Sequence, residues 1–269
     1  MLSRSTDVDR SVDALRASLA GFDRLYVAFS GGADSAFLAA VAHEVLGPER
    51  LTAVTAVSPS LPAAERSDCA DLAAEWGLAW IEVETDEMAS AAYRRNDGDR
   101  CFWCKDALMR AVGPIAGGAT IALGVNLDDL GDHRPGQQAA ADAGAVFPLV
   151  DAGFTKTMVR EASQQMGLRT WDKPAAACLA SRIPYGTTVN VAVLGRVERA
   201  EAALRTLGFD ELRVRHYDDT ARIEVPADRL AEVAARADEV SAAVAACGYR
   251  YVTLDLMGLR SGNLNQALG

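Results

Sequence analysis

Three stretches of this chain hold residues whose types and spacing suit chemistry. Cys101 and Cys104 stand C-x2-C in "DRCFWCK", Cys178 lies in the proline-bounded "KPAAACLASRIPYG", and Ser30, Gly31, Gly32, Asp34 and Ser35 belong to "SGGADS". A close cysteine pair serves as half of a zinc site, as a dithiol redox pair or as part of an iron–sulfur ligand set. Structural zinc takes four closed ligands, and the fourth candidate, His133 or a distant cysteine, has no motif spacing behind it. A thioredoxin-like pair follows the first strand of its fold, whereas this one follows the polar loop "RRNDGDR". Cys69 and Cys247 fall within or at the end of helical patterns and read as small packing residues. Cys101, Cys104 and Cys178 read as lying outside such patterns, and Arg182 close after Cys178 favours a thiolate there.

In "SGGADS" the glycines let the backbone approach an anion closely. A following helix offers unpaired N–H groups and its positive dipole end, and the hydroxyls of Ser30 and Ser35 add donors. A plain strand–helix turn also uses glycine pairs. The spacings G-x-x-x-x-G-K-[ST] and G-x-G-x-x-G are absent. Asn126, Asp128 and Asp129 in "NLDDLGD" follow an apolar run. Asp129 is a candidate to bind magnesium or orient a nucleotide, against the plainer reading of a solvated acidic loop. Arg213 and Arg215 alternate along one strand and so share a face. Such a guanidinium pair suits a phosphate, against the plainer reading of solvated strand arginines, and Arg260 with Ser261 follows the same logic.

The elements that must position these residues alternate. Apolar runs at residues 24–30, 51–58, 79–85 and 120–126 read as buried strands. Helical patterns read over residues 12–19, after "GGADS" to Gly47, over 62–76, from the cysteine motif to Val112, and over 156–167. That alternation predicts an α/β fold with a parallel doubly wound sheet and right-handed crossovers. Beyond a boundary near residues 183–190 the order becomes helix, two strands around "DDT", helix and a last strand "YVTLDLM". It predicts a smaller α+β domain, giving domains of residues 1–186 and 187–269.

Half of the 269 residues are hydrophobic, 24% are charged, and the net charge is −10. An acidic chain disfavours broad nucleic-acid binding. The first residues, "MLSRSTDVDRSVDALRASLAGF", carry acidic groups early and no unbroken apolar run, unlike a secretory leader. No apolar stretch reaches the ~18 residues of a membrane span, and an odd cysteine count without a leader argues against a disulfide framework. The expected setting is the cytoplasm.

Placed directly after the first strand, "SGGADS" resembles the SGGxDS loop of the PP-loop ATP pyrophosphatases. "GDRCFWCK", "GVNLDDLGDHRPG", "TWDKPAAACLASRIPYG" and "YVTLDLMGLRSGNLN" together resemble the LarE family, ATP-dependent sulfur transferases of nickel-pincer nucleotide biosynthesis, over nearly the whole chain. The resemblance implies an adenine nucleotide alpha hydrolase-like sheet. It also implies ATP and Mg2+, with ATP cleaved between its α and β phosphates and pyrophosphate held by the loop. A carboxylate of pyridinium-3,5-biscarboxylic acid mononucleotide would be adenylated and one oxygen replaced by sulfur. An ionised carboxylate needs no general base, in keeping with a chain of only three histidines. On this reading Ser30, Gly31, Gly32, Asp34, Ser35 and Asp129 hold the nucleotide, and Cys178, Asp34 and Arg182 are the catalytic candidates. Trp103 would stack on the pyridinium ring or simply shield the thiols, Lys105 and Arg182 would balance adenylate charge, and Ser181, Arg213, Arg215 and Arg260 would contact substrate.

Members of the family differ in sulfur source. Some carry only the cysteine matching Cys178 and sacrifice its sulfur; others carry three and resemble cluster-dependent tRNA thiolases. With Cys101, Cys104 and Cys178 all present, the resemblance implies a [4Fe–4S] cluster whose three thiolates leave one iron open. Sacrificial use of Cys178 competes with it, and sulfide or another sulfur donor would be a partner. A PP-loop tRNA thiolase is the alternative enzyme, disfavoured by the charge and the lack of zinc-ribbon C-x2-C pairs. A non-catalytic metal carrier would leave the glycine loop unexplained. A homo-oligomer without nucleic-acid or membrane partners is expected.

Overall fold

A computed structural model describes residues 2–131, 135–174 and 177–260; His133 and Ser261 lie outside the described residues. The elements run α1 (Leu2–Ala20), β1 (Leu25–Ala28), α2 (Ala33–Leu46), β2 (Leu51–Val57), α3 (Ala63–Trp76), β3 (Trp80–Glu84), α4 (Ala91–Arg95), α5 (Arg100–Ala116) and β4 (Thr120–Leu123). They continue with α6 (Pro135–Asp142), α7 (Pro148–Asp151), α8 (Lys156–Gln165), α9 (Val191–Thr206), β5 (Arg213–Tyr217), β6 (Thr220–Glu224), α10 (Leu230–Ala235), α11 (Ala237–Ala245) and β7 (Tyr251–Leu254). The chain divides into two compact units, Met1–Glu87 with Cys101–Ala176, and Met88–Arg100 with Ala177–Gly269.

In the first unit β1–β4 form a parallel sheet in the order β3-β2-β1-β4. The short apolar strands have side chains buried on both faces. Leu25 and Val27 join one core with Phe37, Leu38, Leu149 and Phe154, while Tyr26 joins another with Leu108, Met109 and Val112. This two-sided burial is the α/β doubly wound arrangement that the strand–helix alternation predicts. The connection after β1 runs to β2 on one side, while β4 pairs on the other. The strand order therefore reverses between β1 and β4, the switch point beside which open α/β sheets bind ligands.

The second unit has a sheet of order β5-β6-β7, antiparallel between β5 and β6 and parallel between β6 and β7. Val214, Ala221 and Ile223 face a core shared with Leu204, Val240 and Val244. Arg213 pairs with Glu224 and Arg215 with Arg222, so the opposite face is charged.

Three local expectations are corrected. Cys101 and Cys104 are not outside a helix: α5 begins at Arg100, straight after the Asp97–Asp99 turn, because nothing between Arg100 and Val112 breaks a helix. The first helix runs Leu2–Ala20 rather than from Val12. The long helix expected after β6 is split, with a break at Arg236 (φ −108°, ψ 28°).

Residues 88–100 pack into the second unit through Asn96. Its side chain is fully buried, at 0% exposure, and its backbone takes the left-handed conformation, φ 59°. Nδ2 donates to the carbonyls of Ile183 (3.2 Å), Pro184 (2.7 Å) and Thr187 (3.0 Å), and the Asn96 carbonyl accepts from the Gly186 N–H (3.1 Å). Asn96 Oδ1 accepts from Arg100. Asn96→Ala should cost about 3 kcal/mol in urea unfolding, through orphaned buried carbonyls. Asn96→Asp should cost more, since a carboxylate faces three carbonyls without a donor; equal stability of all three proteins would contradict this role.

Candidate functional site

The glycine loop sits at the C-terminal end of β1, where the sheet's switch point opens. Gly31 has φ 66°, the left-handed conformation that glycine adopts without strain. Ser35 Oγ accepts from the Ser30 N–H (3.2 Å), lies 3.1 Å from Ser30 Oγ and donates to the Gly32 carbonyl (3.1 Å), closing the loop onto the first turn of α2. Gly32 caps α2 without a side-chain hydrogen bond, so the helix start keeps N–H groups available to an anion.

Opposite the loop, Gly124 ends β4 against that same turn. A Cβ there would lie 2.8 Å from Ser35 N and 2.9 Å from the Asp34 carbonyl carbon, so only glycine permits the approach. The chain then supplies a polar ladder. Asn126 Nδ2 donates to Asp34 Oδ1 (3.1 Å), the Asn126 N–H donates to Asp129 Oδ2 (3.2 Å), and Lys156 Nζ is paired with Asp34 Oδ2. Asp128 accepts from the Lys156 N–H (2.7 Å) at the start of α8. Asp34 and Asp129 are thus tied together through Asn126. Magnesium takes one or two carboxylates plus substrate phosphates, and Asp34, on the loop itself, fits that donor pattern.

Cys101, Trp103, Cys104 and Lys105 share the first turns of α5. Cys101 and Cys104, three apart, project from neighbouring positions of one helical face; Cys101 is exposed and Cys104 half-buried. Gly136 of α6 packs directly on this turn, where a Cβ would meet the Cys101 carbonyl oxygen at 2.7 Å and Lys105 Cγ at 2.9 Å. Trp103 stands edge-on to Phe102, ring centroids 5.2 Å apart.

In the second unit Cys178 precedes a 3-10 turn, Leu179–Arg182, and is half-buried. Arg182 is buried and directs its guanidinium onto that segment. Nη1 donates to the carbonyls of Ala177 (2.6 Å) and Cys178 (3.2 Å) and to Ser181 Oγ (3.0 Å), while Nε pairs with Glu201 (2.8 Å). Arg100 donates to the Ala180 carbonyl (2.8 Å) and Arg215 to that of Ser181 (2.7 Å). Arg215 is buried and its Nε pairs with Glu224 at 3.0 Å. Burial first, then the like charges of Arg182 and Arg215, push the Arg213 pKa below the usual arginine value. Arg213 Nη1 reaches the Arg260 carbonyl at 3.5 Å, and the buried Nε atoms of Arg222 and Arg260 have no hydrogen-bond partner among the described residues, with Asp255 Oδ2 as a longer ion-pair partner at 3.6 Å from Arg222 Nε and 4.0 Å from Arg260 Nη2. Guanidiniums outnumbering their carboxylates, with donors left over, suit an anion.

For a cluster, the donor chemistry fits in kind, since all five cysteines are outside disulfides. Among the described residues no group of three or more His, Cys, Asp or Glu side chains is placed to hold a metal ion. Burial pushes the Cys69 thiol up to about 11, which disfavours a free thiolate there. No helix among the described residues is long and apolar enough to cross a membrane.

Residues 8–104 match the family model described as NAD synthase. An uncharacterized protein of Synechocystis sp. is 43% identical over 97% of this chain and 99% of its own length. The pyridinium-3,5-bisthiocarboxylic acid mononucleotide synthase of Lactiplantibacillus plantarum is 38% identical over 94% of this chain and 93% of its own. The chain belongs to the LarE family of PP-loop ATP-dependent sulfur transferases. PP-loop enzymes use ATP with magnesium, in keeping with the loop and the Asp34 ladder of this LarE-family chain.

Residue-by-residue reading missed Gly124, Gly136, Lys156, Glu201 and Glu224. Only Gly124 left a signal, as a lone glycine closing an apolar strand; the carboxylates and Lys156 are ordinary in their local sequence. Gly124→Ala should lower the pyrophosphate-forming rate at least tenfold by displacing the start of α2. Gly113→Ala, with nothing within 4 Å of the new Cβ inside α5, should leave it unchanged and add about 0.5 kcal/mol of stability. Pyrophosphate release with thermal unfolding checks both.

Proposed function

We propose that this chain is an ATP-dependent sulfur transferase acting on pyridinium-3,5-biscarboxylic acid mononucleotide, in the cytoplasm and as a homo-oligomer. The observation that carries the reading is the "SGGADS" loop at the sheet's switch point, in a chain 38% identical to a named synthase of the bisthiocarboxylate. One carboxylate oxygen of the substrate attacks the α-phosphorus of ATP. The bond to the bridging oxygen breaks, and magnesium pyrophosphate leaves into the cradle of Ser30, Gly31, Gly32 and Ser35. Asp34 and Asp129 orient the metal-bound phosphates. Proximity and preorganised charge supply the acceleration, since the nucleophile is already ionised.

A sulfur nucleophile then attacks the acyl carbon of the adenylate, and AMP leaves with the former carboxylate oxygen. Arg213, Arg215 and Arg260 suit the substrate phosphate, a reading supported by the like charges crowding Arg213 and by the Arg260 Nε without a hydrogen-bond partner among the described residues, while Arg215 is already paired with Glu224. Trp103 and Lys105 would line the acceptor, and Arg182 with Ser181 would shape the segment that presents Cys178.

On the finer reading Cys101, Cys104 and Cys178 hold a [4Fe–4S] cluster. When bound, such a cluster supplies an iron with an open position for sulfide. The second reading is sacrificial: Cys178 gives its own sulfur. It is favoured by the bracing of the Cys178 segment by Arg100, Arg182 and Arg215.

The unaltered chain should release pyrophosphate and AMP only with the biscarboxylate mononucleotide present; release without it, or strong salt-sensitive retention on tRNA, would count against the assignment. Anaerobic reconstitution should bind roughly four irons per chain. Cys104→Ala should abolish that iron and multiple turnover while sparing pyrophosphate release. Full sulfur transfer by Cys104→Ala, with the elements of hydrogen sulfide lost from Cys178 after a single turnover, would establish the sacrificial route instead.

A further inference from the structure

Lys173 is a chemistry-bearing side chain at the glycine loop to which neither the family motif nor the proposed reaction gives a task. Its ammonium lies under the loop, 18% exposed, and holds three acceptors brought from distant parts of the chain. They are Asp68 Oδ2 (2.6 Å) and Glu65 Oε2 (2.8 Å) on α3, and the backbone carbonyl of Gly31 (3.2 Å). Burial alone would lower the Lys173 pKa, but the two carboxylates more than offset it and the net shift is upward. The ammonium therefore stays charged at neutral pH. Arg169 takes the other oxygen of Asp68 at 2.8 Å, so the carboxylates beneath the loop are each paired with a cation.

The Gly31 carbonyl matters because the peptide bond is planar and trans. In such a unit the C=O of Gly31 and the N–H of Gly32 point in opposite directions. Holding the carbonyl down onto Lys173 aims the Gly32 N–H away from α3. The left-handed φ of Gly31 makes this orientation accessible, but the same freedom makes the reverse orientation accessible too. A flipped peptide would present a carbonyl oxygen where a donor is wanted. Space beneath the loop is already limited, since a Cβ on Gly31 would meet Cys69 Sγ at 3.0 Å and Lys173 Nζ at 3.7 Å.

We infer that Lys173 is a positioning residue, which locks the Gly31–Gly32 peptide with its N–H available to pyrophosphate and neutralises the carboxylates that would otherwise repel that anion. The inference rests on the loop being a pyrophosphate cradle. Lys173 touches no substrate. It acts through one carbonyl, and through charge on a polyanion more than on a monoanion. Its loss should therefore weaken the binding of pyrophosphate far more than that of AMP, a contrast that general destabilisation would not produce.

The test is titration of the full-length protein with magnesium pyrophosphate and, separately, with AMP. Lys173→Met should weaken pyrophosphate binding about tenfold or more, the scale of one charge-assisted hydrogen bond, and leave AMP within about twofold. Lys173→Arg, which keeps the charge and a donor, should recover most of the loss. Lys173→Met leaves Glu65 without its cation and Asp68 with Arg169 alone, so the same variant with Glu65→Gln and Asp68→Asn removes both carboxylate charges and keeps the protein folded. It should still bind pyrophosphate less tightly than a chain carrying Glu65→Gln and Asp68→Asn with Lys173 intact. Equal pyrophosphate affinity in those two proteins would overturn the peptide-locking role, as would parallel losses for AMP and pyrophosphate. An unaltered chain that binds no pyrophosphate would instead overturn the cradle reading, and the inference with it.

Discussion

The first unit depends on how closely the end of β4 approaches the start of α2. Gly124 sits where a single Cβ would strike the backbone of Asp34 and Ser35, so the strand and the helix terminus meet backbone to backbone. That contact brings Asn126 to Asp34 and lets Asp128, Asp129 and Lys156 build outward from it. An anion cradle made of backbone N–H groups is useful only if its peptides stay aimed. Here the aim is set on both sides, by the Ser30–Ser35 hydroxyl pair above and by Lys173 beneath. The loop is polar and hydrogen-bonded, while the central strands β1 and β4 below it are mostly apolar. Directional bonds and close packing on Cys69 and Gly124 together hold the loop in place.

The second unit solves a different problem with the same means. Its sheet buries one face and leaves the other charged, so buried guanidiniums must find partners. Glu201 and Glu224, 1% and 0% exposed, supply the counter-charge for Arg182 and Arg215. Leaving either carboxylate or guanidinium alone there would cost several kcal/mol, about 3–5 for a broken buried pair. Once neutralised, the arginines have hydrogen-bonding capacity left over, and it goes to the carbonyls of residues 177–181. The segment carrying Cys178 thus has its backbone clamped from several directions, with a half-buried thiol at its start.

The order of strands and helices in the first unit was legible from apolar runs and glycine punctuation, since a buried parallel strand has a plain signature. "SGGADS" was legible because backbone anion binding demands glycine at set spacing. Only the start of the helix bearing Cys101 and Cys104 differs from the sequence pattern: the aromatic and sulfur residues resemble a loop motif, but nothing in them opposes a helix. Asn96 was invisible: its left-handed φ and its bonds to Ile183, Pro184 and Thr187 arise from contacts almost ninety residues away.

By itself, the sequence determined the strand–helix alternation, the glycine loop after β1, the three cysteines and the same-face arginines of β5. Each of these follows from local periodicity or from a residue type whose backbone or side-chain chemistry is particular. Only the tertiary structure decided that Lys173 lies under Gly31, that Lys156 pairs with Asp34, that Gly124 is irreplaceable and that residues 88–100 pack with 177–260. Lysine, asparagine and glutamate have no local pattern that announces a partner. Their roles come from desolvation, which obliges every buried charge or amide to find a complement, however far along the chain that complement lies.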